Sequence, residues 1–164
     1  MKKTFNTKKT LIIIVIAIVV IIAGWYLISP AFRVVESDEE SPLDNLKSMP
    51  EGGVKDSIPQ SQIIAQGEFI ENAHEVEGNA LLIDNQGGNK ILRFEDFETI
   101  NGPDLHIYLS SNLDNSDFID LGEIKATKGS VNYEIPSGTD TEKYNKVLVW
   151  CVPFRVLFSY AELK

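Results

Sequence analysis

One short apolar stretch, Val147 to Phe154, contains Cys151, the only cysteine in the chain and the residue best suited to redox chemistry. The stretch is rich in β-branched residues and has a proline near its end, which is typical of a strand covered on both faces. A thiol there is predicted to be buried, because free cysteines usually pack as small apolar side chains. The competing hypothesis is a reactive Cys151, which requires a deprotonated thiol.

The surroundings of Cys151 oppose a free thiolate. The chain carries a net charge of −9, and both nearby carboxylates and an apolar setting raise a thiol pKa above its reference of about 8.5. Only Lys146 and Arg155 are basic residues close to it in sequence. Coordination to a metal or a haem iron deprotonates a thiol outright. A bound cofactor is therefore the physically easier route to chemistry at Cys151.

The chain has two histidines, His74 and His106, and neither has a second histidine or a cysteine at zinc-ligand spacing. Each is a speculative second ligand for a cofactor on Cys151. His106 alternates with Asp104 and Tyr108 along one predicted strand, so the three side chains project from one face about 7 Å apart. This face is interpreted either as a binding surface or as the solvated side of an edge strand.

The sequence also excludes several kinds of site. It contains no Cys-x-x-Cys, no Gly-x-Ser-x-Gly, no phosphate-binding glycine loop and no His-Glu-x-x-His. An acidic chain without a basic, aromatic-studded stripe is not expected to bind nucleic acid. An intermolecular disulfide through Cys151 would make a dimer, but a strand buried on both faces argues against it.

The N-terminal segments predict a membrane anchor. Residues 1–10 form a basic tail with four lysines, and Leu11 to Ile28 is a run of 18 residues without charge. As a helix of about 27 Å, this run matches the thickness of a lipid bilayer. The positive-inside rule keeps the tail cytoplasmic, so residues 29–164 are expected outside a single-pass cell-membrane protein. A cleaved signal peptide is the alternative, although its apolar region usually has only about 7–15 residues.

Residues 29–60 are predicted to be an acidic linker with prolines and glycines, because this composition buries too little apolar surface to order itself. Residues 61–164 are predicted to be an all-β domain, an antiparallel sandwich of two sheets with about eight strands. Gly67 is expected to mark a bulge or a close backbone approach, and Asn112 to Asp120 a polar loop. The predicted strands are Ile63 to Ile70, Asn79 to Asp84, Lys90 to Phe94, Leu105 to Ser110, Glu123 to Ala126, Val131 to Ile135, Lys146 to Val152 and Arg155 to Leu163.

Two motifs stand out in this order of elements: Gly102-Pro103-Asp104-Leu105 at the start of one predicted strand, and Trp150-Cys151 in a later one. From about Gln66 to Leu163 the chain resembles the DM-thirteen domain, a family named from predicted electron-transfer systems and often attached to membranes or beside DOMON domains. The resemblance implies electron transfer or redox modification of a neighbouring surface protein through Cys151. In that role Cys151 acts as a bare thiol or holds a prosthetic group such as haem, with Trp150 shielding it. The alternative function is a non-enzymatic module that binds protein or glycan at the cell surface.

Overall fold

The computed structural model of the protein describes residues 7–28, 33–43, 61–85 and 88–164. Within these ranges one helix, α1 (Thr7–Ile28), is followed by nine strands, so the domain is mostly β, as predicted. The strands are β1 (Glu36–Asp38), β2 (Gln62–Glu71), β3 (Val76–Asn85), β4 (Asn89–Thr99), β5 (Leu105–Ser110), β6 (Phe118–Glu123), β7 (Lys128–Ile135), β8 (Lys146–Cys151) and β9 (Val156–Glu162).

The nine strands form one curled sheet in the order β1-β7-β4-β3-β2-β9-β8-β5-β6. β2 connects its two halves, because residues 62–68 pair with β3 whereas residues 69–71 pair with β9. Gly67 lies at this junction, where a Cβ would collide with the backbone carbonyl of Glu162. The close approach predicted for Gly67 is therefore present. The predicted division into two separate sheets is not confirmed, because hydrogen bonding continues through β2.

The main core lies between the two halves of the curled sheet. Phe94 on β4 is fully buried there, and its ring centroid lies 4.8 Å from that of Phe69 and 5.1 Å from that of Tyr133. The facing half contributes Ile107 of β5 and Val149 of β8 to the same apolar cluster. Burial of each such side chain stabilises the fold by roughly 1.5–3 kcal/mol, so this cluster holds the two halves together.

The alternation predicted for β5 is confirmed, because Leu105, Ile107 and Leu109 all belong to the main core. By contrast, the strand predicted over Glu123–Ala126 is wrong, and so is its hairpin with β7. β6 begins earlier, at Phe118 in the segment predicted to be a polar loop, and it pairs with β5, while β7 pairs with β4. The physical reason is that β6 is an edge strand whose side chains are all exposed or half-buried. Only Ile119 and Leu121 pack against the core, so the apolar pattern is short.

The start of the predicted linker is part of the sheet. β1 pairs in parallel with β7, from Glu36 opposite Lys128 to Asp38 opposite Ser130. Gly129 makes this approach feasible, because its φ is 108° and a Cβ there would collide with the backbone of β1. The order of β1 comes from backbone pairing and not from apolar burial, which is why an acidic composition did not predict it. The rest of the predicted linker, residues 44–60, lies outside the described residues.

Polar contacts fix the residues on either side of β1. Before the strand, the Val35 N–H donates to Thr127 Oγ1 at 2.9 Å. After it, the buried Arg93 guanidinium donates to the backbone carbonyl oxygens of Glu39 and Glu40 at 3.1 and 3.4 Å. These contacts hold residues 35–40 against the sheet, ahead of residue 61, where the composition predicts the β domain to begin.

α1 covers the apolar segment predicted to be helical, and its side chains are strongly exposed, with Ile13 at 66% and Ile21 at 69%. In the described part of the chain, no helix combines the length and apolar character required to cross a membrane. The prediction that Leu11–Ile28 spans a bilayer is therefore not confirmed. Residues 1–6 of the basic tail lie outside the described residues.

Candidate functional site

Cys151 is the last residue of β8, which lies between β9 and β5 in the sheet. Its side chain is fully buried in the main core, together with Val147 and Val149. The opposite face of β8 is covered as well, because Leu148 and Trp150 pack with Tyr108 in a second apolar cluster. β8 is thus a strand buried on both faces, as predicted.

The thiol of Cys151 is bound to the turn that precedes β5. Its Sγ donates to the backbone carbonyl oxygen of Pro103 at 3.2 Å, and the Val152 N–H donates to the carbonyl oxygen of Asp104 at 3.1 Å. Burial raises the pKa of the Cys151 thiol, and the charge of Asp104 raises it further, while the Phe154 N–H has the opposite effect. A buried, protonated thiol is a poor nucleophile and is not accessible for disulfide exchange.

The Gly102-Pro103-Asp104 turn is held from a second side. Phe158, a core residue of β9, packs directly on Gly102, where an added Cβ would lie 2.8 Å from its ring. His74 packs against the same Phe158, with ring centroids 4.0 Å apart and planes tilted by 56°. Cys151 and Phe158 therefore hold the Gly102-Pro103-Asp104 turn from two sides, and His74 packs against Phe158.

His106 lies among three carboxylates on the outer face of the sheet. Its Nδ1 is 2.9 Å from Oδ2 of Asp120, and its Nε2 is 3.3 Å from Oδ1 of Asp104. Glu123 lies opposite His106 on β6. Asp104, His106 and Glu123 can offer one ligand atom each, all within 4.8 Å of one another. We call Asp104, His106, Asp120 and Glu123 the His106 cluster.

The carboxylates favour the protonated imidazole. Burial lowers the pKa of His106, but the hydrogen bond to Asp120 and the charges of Asp120 and Asp104 raise it by more, so the pKa is raised overall. The group is therefore cationic over a wider pH range than a free histidine, whose pKa is about 6.5.

The stability contributed by His106 should decrease as the pH rises through its raised pKa. A group whose pKa is higher in the folded state stabilises fully below its unfolded pKa of about 6.5 and loses this contribution above its folded pKa. We expect the melting temperature of wild type to exceed that of His106→Gln most at about pH 5.5 and least at about pH 8.5. Thermal unfolding of both proteins across this range measures the difference, and a gap that widens with pH would contradict the assignment.

The two proposed ligands Cys151 and His106 point to opposite faces of the sheet. In the β5–β8 register Leu105 lies opposite Cys151, whereas His106 lies opposite Trp150. Neighbouring residues of a strand alternate between faces, so the thiol enters the main core while the imidazole lies on the outer surface. The two side chains cannot bind one metal or haem together.

A cofactor on Cys151 does not fit this arrangement. The side chain is 0% exposed, and the thiol already donates to Pro103. The cavity that touches Gly102 and Asp104 has a volume of about 160 Å³, below the 300–1,000 Å³ typical of ligand pockets. Haem or a metal on Cys151 would therefore have to displace core side chains and break the hydrogen bond to Pro103.

Three aromatic rings form a row on the outer face. This row was not predicted from the sequence. The rings of Tyr108 and Phe118 stack with centroids 4.2 Å apart and planes at 23°. Tyr108 and Trp150 lie 6.4 Å apart at 27°. Tyr108 and Trp150 are buried, whereas Phe118 is 39% exposed. This aromatic row therefore runs from the residue beside Cys151 to the surface, and its register across three strands could not be read from one sequence.

A comparison with known protein families finds a match. The family model described as Electron transfer DM13 matches residues 68–163, more than half of the chain. The match includes Cys151, the aromatic row and the His106 cluster. No curated protein and no solved structure shows a significant match to the chain.

Proposed function

Because the chain belongs to the electron-transfer DM13 family, we propose that its β domain carries single electrons between redox partners at a membrane surface. The resemblance deduced from the Gly-Pro-Asp-Leu and Trp-Cys motifs is thereby confirmed. The observation that carries the proposal is the aromatic row, which begins beside the lone cysteine and ends at the exposed ring of Phe118.

The chemistry of the row suits one-electron steps. Indole and phenol side chains are the most readily oxidised aromatic groups in proteins, so Trp150 and Tyr108 are the stepping points, while Phe118 provides the contact with a partner. An acceptor protein would take one electron from the row, and a donor would return it. Burial raises the pKa of Tyr108, and the charges of Asp120 and Asp104 raise it further, so its phenol stays neutral between transfers.

Cys151 would take part as the inner end of this route. Its thiol would reduce the neutral radical of Trp150: the sulfur gives up one electron and one proton, the indole takes up both, and a sulfur radical remains. Redox modification of a neighbouring protein, by contrast, requires an accessible thiolate, and a thiol that is 0% exposed with a raised pKa does not favour it. The proposed mechanism is therefore electron transfer and not thiol exchange.

Electron paramagnetic resonance after rapid one-electron oxidation tests this proposal. In a Trp25→Phe background, Trp150 is the one remaining tryptophan. We expect a radical on Trp150 or Tyr108 that Trp150→Phe largely removes. Cys151→Ser should lengthen its lifetime, because the thiol that reduces the indole is gone. Phe154→Leu, on an exposed turn after β8, serves as the matched control. A radical that is unaffected by both Trp150→Phe and Tyr108→Phe would reject the route.

We further propose that α1 attaches the domain to the cell membrane with the domain on the extracytoplasmic side. The support is the series of exposed apolar side chains between Leu11 and Ile22 and the four lysines that precede it. The proposed partner is therefore a lipid bilayer, together with a membrane or surface redox protein. Recovery of the chain in the soluble fraction after alkaline carbonate extraction would contradict this placement.

A surface-binding module is the second candidate function. It is favoured by exposed apolar side chains at both ends of the half of the sheet that contains β8, with Phe118 on β6 at 39% and Ile70 on β2 at 45%. This candidate predicts that Cys151→Ser retains function, while substitution of His106 or Tyr108 abolishes binding. Electron transfer predicts that Cys151→Ser changes the radical kinetics, so the two candidates are distinguishable.

A further inference from the structure

We propose that the His106 cluster binds a divalent first-row transition-metal ion, with Nε2 of His106 and the carboxylates of Asp104 and Glu123 as ligands. The site shares no residue with the aromatic row and does not use Cys151. It therefore goes beyond the proposed electron transfer.

The ligand groups converge from two segments of the chain. Asp104 belongs to the turn before β5, His106 to β5 itself and Glu123 to the end of β6. Their ligand atoms lie within 4.8 Å of one another. Ligands bound at about 2.0–2.2 Å from a metal lie roughly 3–4 Å apart, so small rotations of two exposed carboxylates complete the site.

The imidazole is held in the orientation that metal ligation requires. Nδ1 is 2.9 Å from Oδ2 of Asp120, and Oδ1 of Asp120 accepts the Gly122 N–H at 2.8 Å. When the Asp120 carboxylate accepts a hydrogen bond from Nδ1–H, the lone pair of the neutral imidazole is on Nε2, which faces Asp104. Metal-binding histidines almost always have such a partner on their second nitrogen, and Asp120 has that position here.

The charge and the ligand types select the ion. Three carboxylates surround one imidazole, and among the described residues the ion pairs of Asp104 and Asp120 are with His106 alone. A bound cation would offset this excess of negative charge. Imidazole nitrogen favours zinc, copper, iron and nickel over magnesium or calcium, and Cu²⁺ binds most tightly among the divalent ions of this series. Cu²⁺ is therefore the appropriate probe.

The test is a titration of the full-length chain with Cu²⁺ alone, followed by electron paramagnetic resonance with pulsed detection of nitrogen. We expect one bound ion with a single imidazole ligand. His106→Gln should remove the nitrogen signal, and Glu123→Gln should lower the affinity without removing it. Asp120→Asn should lower the affinity about 10–100-fold while the nitrogen signal remains, because it orients the ligand without touching the ion.

Asp114→Asn is the matched control, since Asp114 is an exposed carboxylate outside the cluster, and it should bind Cu²⁺ as wild type does. Circular dichroism melting checks that each variant is folded. If His106→Gln does not fold, Glu123→Gln tests the site in its place. Absence of binding to wild type would overturn the proposal. An unchanged nitrogen signal in His106→Gln would overturn it too, because the ion would then lie on His74 or elsewhere.

Discussion

Cys151 in the native chain should react with an aromatic disulfide such as DTNB at least about a thousand times more slowly than in the denatured chain. The side chain is 0% exposed and its thiol donates to the carbonyl oxygen of Pro103, so the reagent reaches it only when the domain opens. A domain stable by about 5 kcal/mol or more is open for less than roughly one part in a thousand of the time. Absorbance of the released thiolate, with and without denaturant, measures the ratio.

A relocated cysteine provides the control. Ser137 is exposed between β7 and β8, so the double variant Cys151→Ser/Ser137→Cys should react at nearly the rate of a denatured chain. Equal rates for native and denatured wild type would show that the thiol is accessible. That result would restore thiol exchange with a surface protein as a mechanism.

Replacement of Phe94 with alanine should lower the free energy of unfolding by about 3–5 kcal/mol. Phe94 is fully buried, and its ring contacts Phe69 on the strand that joins the two halves as well as Tyr133 on β7. Loss of this ring removes apolar burial and leaves a cavity that β-sheet backbones on both sides cannot close. Urea unfolding followed by circular dichroism measures the change.

Phe154→Ala is the matched comparison, because Phe154 is 61% exposed. Its effect should stay within about 0.5 kcal/mol. If Phe94→Ala lowered the free energy of unfolding by as little as Phe154→Ala does, Phe94 would not be central to the core. The two halves would then be held together by other contacts.

The strands that face two neighbours could be predicted from the sequence, because their side chains carry a clear pattern. β5 alternates between core and outer face, and β8 is a continuous apolar run, so their positions were predicted correctly. The outer face of β5 is not the solvated side of an edge strand, because β5 lies between β8 and β6 and Tyr108 and Ser110 are buried. β1 and β6 are the outermost strands of the sheet. β1 is ordered by backbone pairing without apolar burial. β6 has only two residues, Ile119 and Leu121, that pack against the core, so its apolar pattern is short.

The candidate site was predictable as a list of residues but not as an arrangement. Cys151, Asp104 and His106 were named from the sequence, with Cys151 and His106 as ligands of one cofactor. Their division between two faces depends on the register of β5 against β8, in which His106 lies opposite Trp150. Phe118 and Asp120 could not be assigned to the site, because the segment that contains them has the composition of a loop.

The N-terminal segment that contains α1 and β1 is connected to the main body of the domain in two ways. One connection is the covalent chain after Leu43, and the other is the pairing of β1 with β7. The pairing of residues 36–38 with β7 and the hydrogen bonds from Arg93 do not depend on the peptide bonds between Leu43 and Ser61. A protease that cut this segment would produce two fragments that remain associated. Shedding of the domain from its N-terminal segment would therefore require two events, cleavage and then dissociation of a strand.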